Sequence, residues 1–301
     1  MQRDNILKGI VLVAAGASSY GMLATFVKLA YQEGFTTPEV SLAQISVGLI
    51  FMWCATFVQR KKSAGTQIVT KQSDVAKLMV LGTSLGLTTL FYYIAVKYIS
   101  VSLAIVLLMQ TTWISVVLEA ILNKSFPSPQ KITAVVLVLF GTILTTNTFD
   151  SSVSLDYRGV LFGFLSALSF TTTMFASNRI ATYLPPYKKS SFMLTGGFIV
   201  ILSYCLMADS GPFNFSVFWK WGIILGLFGT IIPPLAFNIG FPKIGLGLGS
   251  IVSALEIPVS IIMAYMVLHE QVVLIQIVGV CLILLAVVLM NIKVSGKTVY
   301  N

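Results

Sequence analysis

Chemistry in this chain centres on Glu256, which stands with Ser250, Ser253 and Ser260 at spacings of 3, 3 and 4. At 100° per residue those four share one face of a helix. Long apolar sequence surrounds them. An ionisable group at membrane depth costs about 2.5–3.5 kcal/mol on the insertion scale, so the helix must turn this stripe to the protein interior or to a wet cavity. Pro258, two residues on, has no N–H and clashes with the carbonyl at Ala254, which loosens the helix ladder there. Freed carbonyls beside a carboxyl group suit a substrate amine or a proton. A carboxyl protonated by burial and held for packing is the alternative reading.

Other polar groups at depth are few. Glu119 shares a face with Thr112 and Ser115 and lies about one turn from its helix end, where an ion pair with Lys124 or Arg179 would act as a gate or a proton-coupling site. Gln110 is a second substrate-site candidate, although glutamine also joins helices by hydrogen bonding alone. Asn238 follows Pro233-Pro234, which must break a helix ladder, and broken helices mark binding sites in transporters. Tyr20, Tyr92, Tyr93 and Trp113, with Phe170, are candidates to line a cavity. Lys28, near a helix end, is expected to snorkel to the surface.

The elements that position these residues must be membrane helices. Of 301 residues, 56% are hydrophobic and 10% charged, against about 25% charged in a soluble domain. Soluble enzymes, nucleic-acid binders and disordered scaffolds are poor readings of such a chain. Ten apolar segments can be marked, at 6–30, 38–58, 75–96, 101–122, 130–148, 159–181, 190–208, 219–241, 246–268 and 272–292. About 20 apolar residues suffice to cross a bilayer. The first segment is too long for the core of a signal peptide and is expected to be a transmembrane helix.

The net charge of +9 follows the positive-inside rule rather than a nucleic-acid footprint. With the N-terminus in the cytoplasm, only Lys28, Lys97, Arg158 and Lys220 of the 19 basic residues fall outside. Both termini are then cytoplasmic. The three cysteines lie in apolar runs, with one histidine in the chain, so neither a disulfide framework nor a zinc site is expected. No Walker A pattern and no Ser-His-Asp set is visible, so neither ATP-driven transport nor an enzyme is expected, and no cofactor.

The two halves, 1–150 and 151–301, resemble each other at a shift of about 146–150 residues. Ala17, Ser19 and Tyr20 fall on Ala167, Ser169 and Phe170. Lys97, Gln110, Thr112 and Gln130 fall on Lys243, Glu256, Pro258 and Gln276. Five helices per half is an odd number, so the second half must be inverted relative to the first, as in many secondary transporters. The fold class expected is an all-α membrane protein of ten transmembrane helices in two inverted five-helix repeats.

These features resemble the EamA-type branch of the drug/metabolite transporter superfamily. Ser253-Ala-Leu-Glu256-Ile-Pro258 is similar to a family stretch, as are His269-Glu270 with Gln276 and Gly279, and Gln110-Thr-Thr-Trp113 with Gln130 and Gly141. Thr112 stands where the family favours proline, and Lys124 where it favours glutamate. The resemblance implies alternating-access movement of a small organic solute across the inner membrane, by export or exchange. An apolar, aromatic cavity with few polar groups favours amino-acid-like solutes. A sugar-phosphate or nucleotide-sugar exchanger would need deep Lys or Arg side chains. An assembly protein would need neither polar faces nor a repeat. The expected partners are the lipid bilayer, a small-molecule substrate and a coupling proton.

Overall fold

The computed structural model describes residues 2–62, 70–99, 101–145, 156–208, 212–269 and 271–291. All regular structure among them is helical. The helices are α1 (Gln2–Gln32), α2 (Thr37–Lys62), α3 (Gln72–Tyr98), α4 (Val101–Leu108), α5 (Thr111–Asn123), α6 (Pro129–Thr145), α7 (Tyr157–Arg179) and α8 (Pro186–Met207). They continue as α9 (Ile223–Gly226), α10 (Ile232–Ile244), α11 (Leu246–Ser253), α12 (Glu256–Leu268) and α13 (Leu274–Asn291). Eight stretches are long and apolar enough to cross a membrane, and Pro129–Thr145 and Leu274–Met290 are shorter apolar helices where the other two segments were expected. Asp150 and Glu270, and the side chain of Lys97, lie outside the described residues.

Two of the expected continuous helices are broken. The segment 246–268 divides at Ala254–Leu255. Pro258 there becomes the third residue of α12, a position whose N–H has no helical partner in any case. The segment 101–122 divides at Met109–Gln110 with no proline to force it. Tight turns carry that break, with Gln110 N donating to Leu107 O at 3.1 Å and Thr112 N to Met109 O at 3.0 Å. Each break separates 8 helical residues from 13. Each 13-residue piece then ends on a left-handed residue, Lys124 (φ 50°) and His269 (φ 54°).

Pro233-Pro234 act differently from expectation. The chain stays helical from Phe218 to Ile244, and both prolines sit in the first turn of α10. Their missing N–H groups withhold the usual donors from the carbonyls of Gly229 and Thr230. The backbone responds with a widened π turn at Leu227–Ile231 rather than a break, and a further π turn lies upstream at Phe218–Gly222.

Glycine sets the closest helix approach. A Cβ on Gly196 of α8 would lie 1.9 Å from the Met79 carbonyl oxygen of α3, and one on Gly82 would lie 2.2 Å from that of Met193. Backbone must shift to admit either. Gly196→Ala is therefore expected to cost about 1–3 kcal/mol, the usual range for overpacking. Thermal unfolding in detergent checks this, and an unchanged Tm would refute the close approach. Elsewhere α6 and α13 run antiparallel, tied at both ends. Gln130 donates to the Leu289 carbonyl, and Gln276 Nε2 donates to that of Thr145 at 2.9 Å.

The largest buried apolar cluster occupies the half of the bundle nearer the N-terminus of α1. It includes Ile10, Val13, Val116, Ala134, Phe237, Phe241, Leu246 and Ile283. Charge is placed at the helix ends around it. At the other end, Glu39 accepts from Thr36 N at 2.7 Å and from Asn214 N at 2.6 Å, fixing the turn between α1 and α2.

Candidate functional site

The half of the bundle toward the C-terminus of α1 holds a cavity of about 740 Å³. It starts where α12 starts. Glu256 and Ser260 of α12 face it across from Tyr20, Lys28 and Tyr31 of α1. Thr88, Thr89, Tyr92 and Tyr93 of α3 form another wall, and Thr25, Ser41, Gln44, Thr145, Thr230 and Gln276 add to the polar lining. Gly21 lets α1 reach the helix break, since a Cβ there would lie 2.5 Å from the Glu256 carbonyl oxygen. Glu256 is half-buried and has no ion-pair or hydrogen-bond partner among the described residues. A carboxyl group walled by tyrosines and threonines can take a cationic or hydrogen-bonding group of a solute, or a proton.

The floor is aromatic. The Tyr20 ring lies 5.8 Å from Phe237 and 6.3 Å from Phe170, and Phe237 meets Phe241 edge-on at 5.2 Å. Tyr20 and Phe170, which the sequence shift aligns, are thus in contact. Beneath the floor the helices are closed by buried polar contacts. Thr111 and Thr171 hydroxyls meet at 2.8 Å, Ser250 Oγ donates to the Thr112 carbonyl at 3.3 Å, and Asn178 Nδ2 donates to that of Phe241 at 2.7 Å. Lys189, almost fully buried, donates to the Ser177 carbonyl at 2.8 Å in the last turn of α7. A cation at a helix C-terminus is favourably placed there.

Of the sequence candidates, Glu256, Tyr20, Tyr92 and Tyr93 are brought together on the cavity. Gln110, Trp113, Ser253 and Asn238 are not on its lining. Trp113 Nε1 donates to Gln110 Oε1 at 2.8 Å and Gln110 Nε2 to the Val106 carbonyl at 3.0 Å, so both side chains serve the first helix break. Ser253 Oγ donates to the Gly249 carbonyl at 2.9 Å. Asn238 Nδ2 donates to Ser190 Oγ at 2.8 Å, while its Oδ1 is buried without a partner.

Glu119 pairs with Lys131 of α6. Neither Lys124 nor Arg179 is its partner: Lys124 caps α5 in the left-handed conformation, and Arg179 donates to Asn123. The Glu119 carboxylate lies over the start of α11, with one oxygen 2.6 Å from where a Cβ of Gly245 would be and the other 2.6 Å from that of Gly247. It sits at the end of the bundle away from the cavity.

Sequence reasoning did not single out Tyr31, Gln44, Thr88, Thr89 or Thr230 for the cavity. One signal existed. Tyr20, Ala24, Lys28 and Tyr31 recur at spacings of 4, 4 and 3, a single face of α1. The described residues hold no group of three or more His, Cys, Asp or Glu able to bind a metal.

Comparison with known proteins places this architecture. The model of the EamA-like transporter family matches residues 7–147 and again 157–292. The chain belongs to the EamA-like transporter family. The two matches take in α2–α6 with most of α1 in the first, and α7–α13 in the second. An uncharacterized transporter of Synechocystis sp. (strain ATCC 27184 / PCC 6803 / Kazusa) is 25% identical over 322 aligned positions, covering 98% of this chain and 97% of that protein. A solved crystal structure shares the fold with a TM-score of 0.75 at 15% identity, over 97% of this chain and 99% of that one. Family and apolar helices together make this EamA-like chain an integral membrane protein of the drug/metabolite transporter superfamily, and its family activity is membrane transport of small molecules.

Proposed function

We propose that this chain is a secondary transporter moving amino-acid-like solutes by alternating access, with Glu256 at the centre of the binding site. One observation carries the reading. A cavity ends on a carboxyl group at a helix break, without an ion-pair or hydrogen-bond partner among the described residues, and the opposite half of the bundle is packed with apolar side chains. A solute entering from the cavity side meets Glu256 with the tyrosines, and can leave only if the closed half opens.

The halves 1–150 and 151–301 are proposed as inverted repeats. Support comes from the equal 8- and 13-residue pieces, the matching left-handed ends, and the reciprocal Gln130 and Gln276 contacts. The proposed orientation puts both termini in the cytoplasm and the cavity on the outer side of the inner membrane, on the strength of the basic-residue distribution. The Glu119–Lys131 pair over α11 is then the inner gate, and Glu256 the group that binds solute and exchanges a proton. Lys28 is the one lysine or arginine among the described residues lining the cavity, which favours an amine-bearing solute over a sugar phosphate.

Counterflow in proteoliposomes tests the reading. Labelled amino acids and amines are expected to exchange through the wild-type protein, and Glu256→Gln is expected to lower the rate at least tenfold by removing a charge-assisted contact of roughly 1.5–3 kcal/mol. Net flux from loaded vesicles reads the direction, which we propose to be outward. Undiminished exchange by Glu256→Gln would remove Glu256 from the site.

A further inference from the structure

Among its described lining residues the cavity has one acidic and one basic side chain, Glu256 at its floor and Lys28 toward its mouth. Their separation selects among solutes. Gly21 abuts the Glu256 backbone, and Lys28 follows it seven residues later on the same helix. Seven residues of α-helix rise about 10 Å. Helical side chains lean toward the N-terminus, so the Lys28 stem leans toward the floor and shortens the gap to roughly 5–10 Å. Tyr31, Tyr92 and Tyr93 wall the space between.

An α-amino acid does not fit that spacing. Its ammonium nitrogen and carboxyl carbon are about 2.5 Å apart, so it can satisfy one end of the cavity and not both. At about 3.3–3.6 Å per added residue, a dipeptide separates its charged ends by roughly 6 Å and a tripeptide by roughly 9–10 Å. The volume of about 740 Å³ accommodates solutes of that size. Burial strengthens the contact at half-buried Glu256, whereas Lys28 is exposed and its contact is that of a solvated charge pair.

We propose that the preferred solute of this cavity is an extended zwitterion, with an ammonium group on Glu256 and a carboxylate on Lys28 held roughly 5–10 Å apart, as in short peptides and ω-amino acids. The inference rests on Glu256 being the binding carboxylate of a transporter. It adds Lys28 as the residue that sets solute length.

Calorimetric binding to the purified full chain tests it with three probe series: ω-amino acids of one to six methylenes, the n-alkylamines of matching length, and alanine, dialanine and trialanine. Affinity is expected to rise with charge separation in the first and third series, with the long zwitterions exceeding their matched amines about two- to fivefold, the worth of an exposed charge pair. Lys28→Met is expected to bring that ratio to about one, and Lys28→Arg to retain it. A rise confined to the ω-amino acids identifies the source as a flexible methylene chain; a rise confined to the alanine series identifies it as peptide. Affinity independent of length, amines binding as tightly as zwitterions, or no binding by any probe would overturn the proposal. Glu256→Gln separates the two levels. Length selection that survives it refutes the site reading, whereas loss of all binding in that variant, with no length selection in the wild type, refutes only the extended zwitterion.

Discussion

Replacing Glu119 with glutamine is expected to open the closed end of the bundle and expose Ser115 to the aqueous phase on that side. Ser115 is fully buried on the same face of α5, one turn before Glu119. The carboxylate joins three elements: it belongs to α5, pairs with Lys131 of α6, and lies over Gly245 and Gly247 at the start of α11. A negative charge at a helix N-terminus is favourable, and glutamine keeps the shape while removing the charge. It also leaves the Lys131 ammonium without its partner in a poorly hydrated place.

The size of the effect follows from burial. Breaking a fully buried pair from one side costs about 3–5 kcal/mol. The Lys131 and Glu119 side chains keep 26% and 11% of their exposure, so solvent screening reduces this to about 2 kcal/mol. If that free energy holds the end closed, its loss shifts the open population roughly thirtyfold. A Ser115→Cys reporter in a background lacking Cys54, Cys205 and Cys281 reads the shift as a faster reaction with an impermeant maleimide. Lys131→Met should act in the same direction. Labelling at the wild-type rate in both variants would remove the gate from the mechanism.

The parts legible in the sequence were those written in periodicity and in proline. The apolar segments found the helices because the bilayer demands runs of that length. Pro258 marked a loosened ladder at Ala254, since a missing N–H is a property of the residue itself, and the structure goes further and breaks the helix at Ala254–Leu255. The matching break at Met109–Gln110 carries no such mark, because Thr112 can continue a helix and tight turns around Met109 make the interruption. Gln110 shows why correspondence between halves is a weak guide to chemistry. An amide in apolar surroundings bonds to the nearest available groups, here Val106 and Trp113, whereas the Glu256 carboxyl group has no hydrogen-bond partner among the described residues and lines the cavity. The partner of Glu119 was missed for a related reason. Lys124 is nearer in sequence, but it turns left-handed to end the helix, and the chain then doubles back to present Lys131.

The aromatic floor gives the second large effect. Gly249→Ala is expected to destabilise the protein by about 1–3 kcal/mol, at the upper end of that range, because the clash has nowhere to go. A Cβ on Gly249 would lie 2.2 Å from Cε1 of Phe241. Phe241 is fully buried, its ring is held edge-on by Phe237, and its carbonyl is fixed by Asn178. Phe241→Ala alone is expected to cost about 3–5 kcal/mol through the void it leaves. The two substitutions together should cost less than their sum, since the new methyl group enters the space the ring vacates, with a coupling of about 1–2 kcal/mol. Thermal unfolding of the four proteins measures it, and strictly additive costs would show that Gly249 is small for another reason. Transport separates the two variants further. Phe241→Ala thins the barrier under the cavity and should let solute leak without exchange. Gly249→Ala leaves the ring in place and, under the proposed alternating access, should slow exchange without leak, because the added methyl group wedges α11 against that ring.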